Sequence, residues 1–303
     1  MIPPTIADYA MSGENTGYIL FSEPVIANKE NLMCNDGFSI KNITITDSKL
    51  EFQLDGKVEP GKRLSVDGEI TDKSGNHLSF LLFFYGFNPN IPHILINEFT
   101  TQGSSSHPDC VELFLLSAGN IGGIVLYEGT DSDWDQRFIF PSLYLEAGSF
   151  VVLHTKPDGT TEEKNETTAP DVSGGKDASS GGWDFWLSGG KGLSGNNGVI
   201  SLYTRVGGEL LDAVVYSTGT SSRYQGFGTK KIFDRAQEIF KLGGWESTEE
   251  ILLPEFCIDP DPSTSTRSIN RASVPVDTNS KLDWHIVPTS QSSFGSVNSD
   301  EVY

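Results

Sequence analysis

Residues 94–114 read ILINEFTTQGSSSHPDCVELF, two runs of large apolar residues joined by a polar loop, each run holding one glutamate. Glu98 lies in Ile96-Asn97-Glu98-Phe99 and Glu112 in Val111-Glu112-Leu113-Phe114. Polar and apolar residues in alternation mark β-strands whose two faces meet different surroundings. The stretch therefore predicts two paired strands, with both carboxylates pointing outward from their apolar neighbours. Two acids on adjacent strands are either framework or a catalytic pair, and the rest of the chain has to decide between them.

Composition points to an all-β protein. Among 303 residues there are 32 glycines, aromatic residues make up 11%, and leucine- or alanine-rich helical periods are nearly absent. Short Val, Ile, Phe and Tyr runs alternate with Gly, Asn, Asp and Ser clusters, the pattern of strands and turns. A net charge of −20 argues against nucleic acid, because phosphate-backbone binding needs a Lys/Arg surface that displaces counterions. It argues equally against an anionic membrane surface. The most apolar stretch, Leu78 to Phe87, is too short to span a bilayer. Cys34, Cys110 and Cys257 have no CxxC or Cys/His neighbours, so neither a zinc site nor a redox motif is indicated. One disulfide with a leftover thiol and three reduced, buried cysteines are both open.

The chain divides into residues 1–88, a linker at 89–93, a second β domain at 94–298 and a tail at 299–303. Pro89 and Pro92 stiffen the linker. In FSIKNITIT (Phe38–Thr46) the apolar phase shifts at Lys41-Asn42, where a bulge would restore one apolar face. Within the second domain, insertions are expected near 156–192 and 218–264. The first is polar and glycine-rich and reads as a mobile loop. The second carries a helix in GTKKIFDRAQEIFKLGG, with Thr229 as cap, an apolar stripe of Ile232, Phe233, Ala236, Ile239 and Phe240, and Gly243 at the end. Ser247-Thr248-Glu249-Glu250 has the form of a capping box opening a second short helix that Pro254 stops.

Two resemblances sharpen this picture. FSEPV (Phe21–Val25), PGKRLSV (Pro60–Val66) and ITDKSGNHL (Ile70–Leu78) resemble the bacterial Ig-like domains of the SbsA type. ILINEF and CVELF, then GNIGGIVLYE (Gly119–Glu128), FPSLYLEAGSFVVLHT (Phe140–Thr155), GLSGNNGVISLYTRVGGELLDAVVYS (Gly192–Ser217) and STRSINRASVPVDTNSKLDWHIVPTSQSSFGSVN (Ser265–Asn298) resemble, in order, the lamin-tail domain. Cys110, Ile124 and Phe294 depart from that family's usual residues. The resemblances imply two Ig-like β-sandwich domains in tandem, the second with a long polar loop and a short helical insertion. They supply no catalytic cleft, so Glu98 and Glu112 are expected to accept backbone N–H bonds at the end of the sandwich or to pair with Arg267 or Arg271. General acid/base work on glycosides would need the carboxylates about 5–10 Å apart in a cleft.

Two further groups are candidates. Asp131, Asp133 and Asp135 alternate as oxygen ligands do at the start of an EF-hand, but Gln136 and Ser142 stand where Gly and Glu are required. Calcium in another geometry is the candidate there, against an ordinary solvated acidic loop, and no other cofactor is implied. Trp183, Phe185 and Trp186, set in glycine-rich sequence, are either a binding tip for carbohydrate or protein or a plug over the open end of the sandwich. The expectation is a non-enzymatic binding, scaffolding or adhesion-type protein, monomeric, exported to the cell envelope or outside it. Its partners would be protein or carbohydrate at the cell surface. Met1, close before Pro3-Pro4 and a strand-like segment, suggests a start placed after a removed export signal or lipoprotein anchor. The alternative is a metal-dependent hydrolase, or an accessory module of a secreted nuclease or phosphatase.

Overall fold

The computed structural model describes residues 2–303, which are mostly β with several antiparallel sheets and one short α-helix. They form two compact units. The first runs to Ile91 and includes Asn120–Gly123 and Phe140–Ser142; the second holds the remainder.

In the first unit the strands are β1 (Ile6–Met11), β2 (Thr16–Phe21), β3 (Val25–Ile26), β4 (Leu32–Cys34), β5 (Ile40–Thr46), β6 (Lys49–Leu54), β7 (Arg63–Asp72) and β8 (His77–Tyr85). One sheet has the order β1-β2-β6-β5; in the other, β7 pairs with β3 and β4 on one side and with β8 along its whole length on the other. Alternate residues of both sheets, among them Ile19, Leu50, Phe52, Leu64, Val66 and Phe84, form the core. The bulge expected in β5 is present, as a register shift between Ile40 and Asn42. At the β7–β8 turn Asp72 accepts the N–H groups of Ser74 (2.7 Å) and Asn76 (2.8 Å) while Gly75 takes a φ of +82°. The side-chain bond from Asn76, helped by these backbone donors, holds the Asp72 carboxyl below the usual range.

The second unit is built from β9 (Ile94–Phe99), β10 (Cys110–Leu115), β11 (Gly119–Asn120), β12 (Val125–Gly129), β13 (Trp134–Ile139), β14 (Tyr144–Leu145), β15 (Phe150–His154), β16 (Trp183–Trp186), β17 (Asn197–Tyr203), β18 (Leu210–Ser217), β19 (Ile269–Arg271) and β20 (Trp284–Ile286). A six-stranded sheet runs β16-β15-β10-β9-β19-β20, antiparallel except for the parallel pair β15–β16. A four-stranded sheet runs β13-β12-β17-β18. Side chains bridge the two: Phe99 of β9 meets Tyr216 of β18 at 5.7 Å between ring centroids, and Phe138 of β13 meets Phe185 of β16 at 5.8 Å. β11 and β14 make a small separate ladder.

The helix α1 spans Lys230–Lys241, its first turn capped by the Thr229 hydroxyl, which accepts from Ile232 N at 3.2 Å. Ala236 and Ile239 are buried, and Gly243 follows the end with a φ of +76°. No second helix forms at Ser247. That stretch is bends, followed by a single 3-10 turn at Pro254–Phe256, because the Ser247 hydroxyl accepts from Glu249 N and donates to Ile251 O, closing a local turn in place of a helical one. The polar insertion is likewise organised rather than loose. Glu166 is fully buried and accepts from Val172 N, Ser173 N and Asp184 N, so one carboxylate pins three points of the segment.

Candidate functional site

Strand register sorts the side chains of the six-stranded sheet onto two faces. Phe99, Val111, Leu153, Phe185 and Ile269 lie in one row and face the second sheet. Their neighbours in sequence form a row on the opposite face: His285, Asn270, Glu98, Glu112, Val152 and Asp184 are successive cross-strand partners. Beside them run Cys110, His154 and Trp186. This polar face is not open to water. Residues 293–298 of the C-terminal segment and the loop at 179–182 lie over it and meet each other at glycines. A Cβ on Gly295 would fall 1.7 Å from Ser179 Oγ, and one on Gly181 would fall 2.3 Å from Gly295 O.

Glu98 and Glu112 thus point away from the apolar core, as alternation requires, yet both are completely buried. The surface they face is roofed by chain some 190 residues further on. Glu98 accepts from Ser293 N (2.9 Å) and Ser293 Oγ (2.7 Å). Glu112 accepts from Gly295 N (2.5 Å) and Asn97 Nδ2 (2.7 Å). A register shift between Glu112 and Leu113 makes Asn97 the extra residue of a bulge, bringing its amide to the same cluster. Asn298 completes the tie, donating to Arg271 O at 2.9 Å and Asn97 O at 3.2 Å. Desolvation raises the pKa of both glutamates, and the Glu98 charge pushes Glu112 further up. Burial and mutual repulsion both favour keeping a proton on the pair. Backbone N–H groups are among the partners, as the sequence allowed; neither Arg267 nor Arg271 is.

Arg271 has a different task. It is 1% exposed and faces the inter-sheet side, where Nε donates to Ile96 O (2.8 Å) and Nη1 to Val276 O (2.6 Å). Its guanidinium reaches Asp212 of β18 at 3.3 Å, Asp277 at 3.2 Å and Asp283 at 3.4 Å, and lies 4.6 Å from the centre of the Trp284 ring. Asp212 also accepts from Ile96 N and Ala213 N. Burial pushes its carboxyl up to about 7 against the pull of Arg271 and these donors. One cation therefore ties β9, β18 and the 276–284 loop together.

The proposed aromatic tip is not exposed. Trp183, Phe185 and Trp186 form β16 at the edge of the six-stranded sheet, with Phe185 and Trp186 buried and Trp183 half-buried. Trp186 stacks on His154 at 3.8 Å and donates to Ser173 Oγ at 2.9 Å. His154 Nε2 lies 2.8 Å from Asp184, whose second oxygen accepts from Ser179 N. Apolar edge strands need cover, and this one is seated by side chains on both faces. The His154–Asp184–Trp186 group was missed from sequence, its three members lying in two segments with no shared spacing.

The three aspartates are each engaged within the protein. Asp133 and Asp135 both hold Arg235 of α1, at 3.1 and 2.7 Å, and Asp135 also holds Lys231. Asp131 accepts from Tyr127 OH and Gly207 N. They anchor the helix and a loop, and among the described residues no group of three or more His, Cys, Asp or Glu is arranged to hold a metal.

One cleft, of about 470 Å³, opens beside the roofed face and is lined by His107, Cys110, Asp177, Ser179, Ser292 and Phe294, with others. His107 Nδ1 lies 3.0 Å from Asp177 at its rim. Cys110 is buried and its thiol is pushed well above its ordinary pKa by desolvation, which keeps it protonated and a poor nucleophile. Its polar neighbour is Thr100 Oγ1 at 3.9 Å. All three cysteines are free and buried.

Residues 92–286 match the family described as "TP_1001_2nd: protein second domain", and the chain belongs to that family. The match is to this family and not to the lamin-tail one, so the lamin-tail likeness rests on the motifs quoted above. An uncharacterized protein of Treponema pallidum (strain Nichols) is 24% identical over 199 residues, 64% of this chain and 50% of that protein. The chain thus spans about half the length of the curated relative it matches. Among solved structures, a DUF4876 family protein from Bacteroides thetaiotaomicron is 10% identical over 93% of this chain and 92% of that one, with a TM-score of 0.31. The N-terminal part of the bacterial S-layer protein SbsC is 12% identical over 71% of this chain and 44% of that one, with a TM-score of 0.27. At these scores neither likeness bears on fold or function.

Proposed function

Starting from membership in that family, we propose that this chain is a non-enzymatic binding or scaffolding part of an exported, surface-attached bacterial protein, built of Ig-like modules of the SbsA and lamin-tail kinds. The observation that carries the reading is the use of Glu98 and Glu112. Both carboxylates are roofed over and engaged in hydrogen bonds that hold residues 293–298 against β9 and β10. A catalytic acid must reach the proton it transfers, whereas these act as struts. Arg271 and its three aspartates serve the same end from the other face of the sheet. The two-sheet arrangement of the second unit and the order of its motifs support the Ig-like assignment, and the strongly acidic composition suits a well-solvated exterior.

Two measurements test this. Trypsin applied to intact cells carrying the full-length gene should remove the protein if it is displayed on the surface; protection until the cells are lysed would contradict that placement. Purified chain, with and without calcium or zinc, should not turn over chromogenic esters, phosphates or glycosides. Turnover abolished by Glu98→Gln or His107→Ala would overturn the non-enzymatic reading in favour of a hydrolase.

A further inference from the structure

The most apolar run of the chain lies on an open sheet edge. β8 pairs with β7 from Arg63↔Tyr85 to Thr71↔His77 without a register shift, and among the described residues no strand pairs along its other side. Register places His77, Ser79, Leu81 and Phe83 on the outer face of the sheet, opposite Thr71, Glu69, Asp67 and Ser65. Leu81 is 57% exposed and Phe83 40%; Met33, in register with Asp67 on β4, is 60% exposed. A strand edge is a row of unpaired N–H and C=O groups, and proteins that have no use for it blunt it with lysine, proline or a bulge. From Leu78 to Phe84 β8 has no charged residue, no proline and no bulge.

We propose that β8 is a self-association edge, pairing antiparallel with β8 of a second copy of this chain and continuing the sheet across a two-fold axis at Leu81. The monomer expected from sequence gives way to a reversible dimer. Charge selects the occupant. Two copies at −20 repel one another over most of their surface, and this run offers a strand-long contact free of charge. With the axis at Leu81, the two Leu81 side chains are neighbours, each Ser79 lies beside a Phe83, and each His77 lies beside a Tyr85. No pair of like charges is set directly opposite, and each Phe83 phenyl faces a small hydroxyl. At either end, the His77–Glu69 pair of one copy, 2.7 Å apart, comes alongside Arg63 of the other, which stacks on its own Phe83 ring at 3.9 Å. Opposite charges thus lie at both ends of the seam, on either side of Tyr85 and Phe83, when the partner strand is an antiparallel β8. A two-fold contact of this kind uses the same edge on both copies and closes at two.

The test is the mass of the intact chain by sedimentation velocity across a micromolar-to-millimolar series. Mass should rise from that of the monomer to twice it, and stop there. Leu81→Lys, at an exposed position, should give monomer throughout with unchanged circular dichroism and melting temperature. Leu81→Cys should form a covalent dimer on mild oxidation, since only that thiol is exposed and the axis brings the two together. A wild-type chain that stays monomeric over the series overturns the proposal. So does a Leu81→Lys variant that dimerises as wild type does, or growth beyond two copies.

Discussion

Replacing Glu98 by glutamine isolates what the buried carboxylate pair contributes to stability. The two side chains are direct cross-strand partners, and burial raises both pKa values above those of free glutamate. In the unfolded chain both ionise near pH 4.3. Above that pH the folded protein keeps a proton that the unfolded chain has released, so stability is greatest below it and falls as pH rises toward the folded pair's own ionisation. One retained proton gives a slope of about −1.4 kcal/mol per pH unit, or roughly 3–5 °C in melting temperature for a unit of this size. Asp212 adds a slope of the same sign, complete by the pH of about 7 to which burial pushes it. The amide introduced by Glu98→Gln is neutral at every pH, can accept from Ser293 N and can donate to Ser293 Oγ, and so imitates the protonated side chain. Chemical denaturation from pH 4.5 to 8.5 should show the variant within about 1 kcal/mol of wild type at the acid end. Its profile should then be shallower by one proton, leaving it more stable than wild type at pH 8. Parallel profiles, or a variant less stable at pH 8, would refute the shared proton.

Gly295→Ala should destabilise the second unit by about 2 kcal/mol or more, because the position combines a φ of +81° with a Cβ site 1.7 Å from Ser179 Oγ; urea unfolding measures it. Arg271→Met leaves Asp212, Asp277 and Asp283 without their cation and should cost about 3–5 kcal/mol at pH 7, less at pH 5, where Asp212 is protonated. Arg235→Gln should release α1 from Asp133 and Asp135, seen as faster amide exchange over 230–241, with a loss of only about 1 kcal/mol because both aspartates are half exposed. Wild-type melting temperature should not change with millimolar calcium, as Arg235 and Lys231 already neutralise that pair; a rise of several degrees would contradict this.

What was legible in sequence was local. The bulge at Lys41-Asn42, the Thr229 cap and the pairing of 94–99 with 110–114 each depend on neighbours within a few residues or on strand period, and each is present. The false second helix at Ser247 shows the limit even there: Ser-Thr-Glu-Glu is equally good at closing a turn, and nothing local separates the two outcomes. Alternation assigned Glu98 and Glu112 to the correct face and could not say what covers that face, since the cover comes from residues 293–298. Trp186 was ambiguous for the same reason, its partner being His154 on another strand.

The buried glutamates and the C-terminal motif turn out to be two halves of one device. Gly295 and Asn298 belong to the stretch that resembles the end of the lamin-tail pattern, while Glu98 and Glu112 stand in the two strands that resemble its beginning. In the structure the Gly295 N–H meets Glu112, and the Asn298 side chain bridges Asn97 and Arg271. A motif at one end of the domain therefore supplies the donors that a motif at the other end requires. Each half completes the other: the strap covers the carboxylates, and the carboxylates hold the strap in place. The sequence positions most easily taken for chemistry are the ones that close the chain.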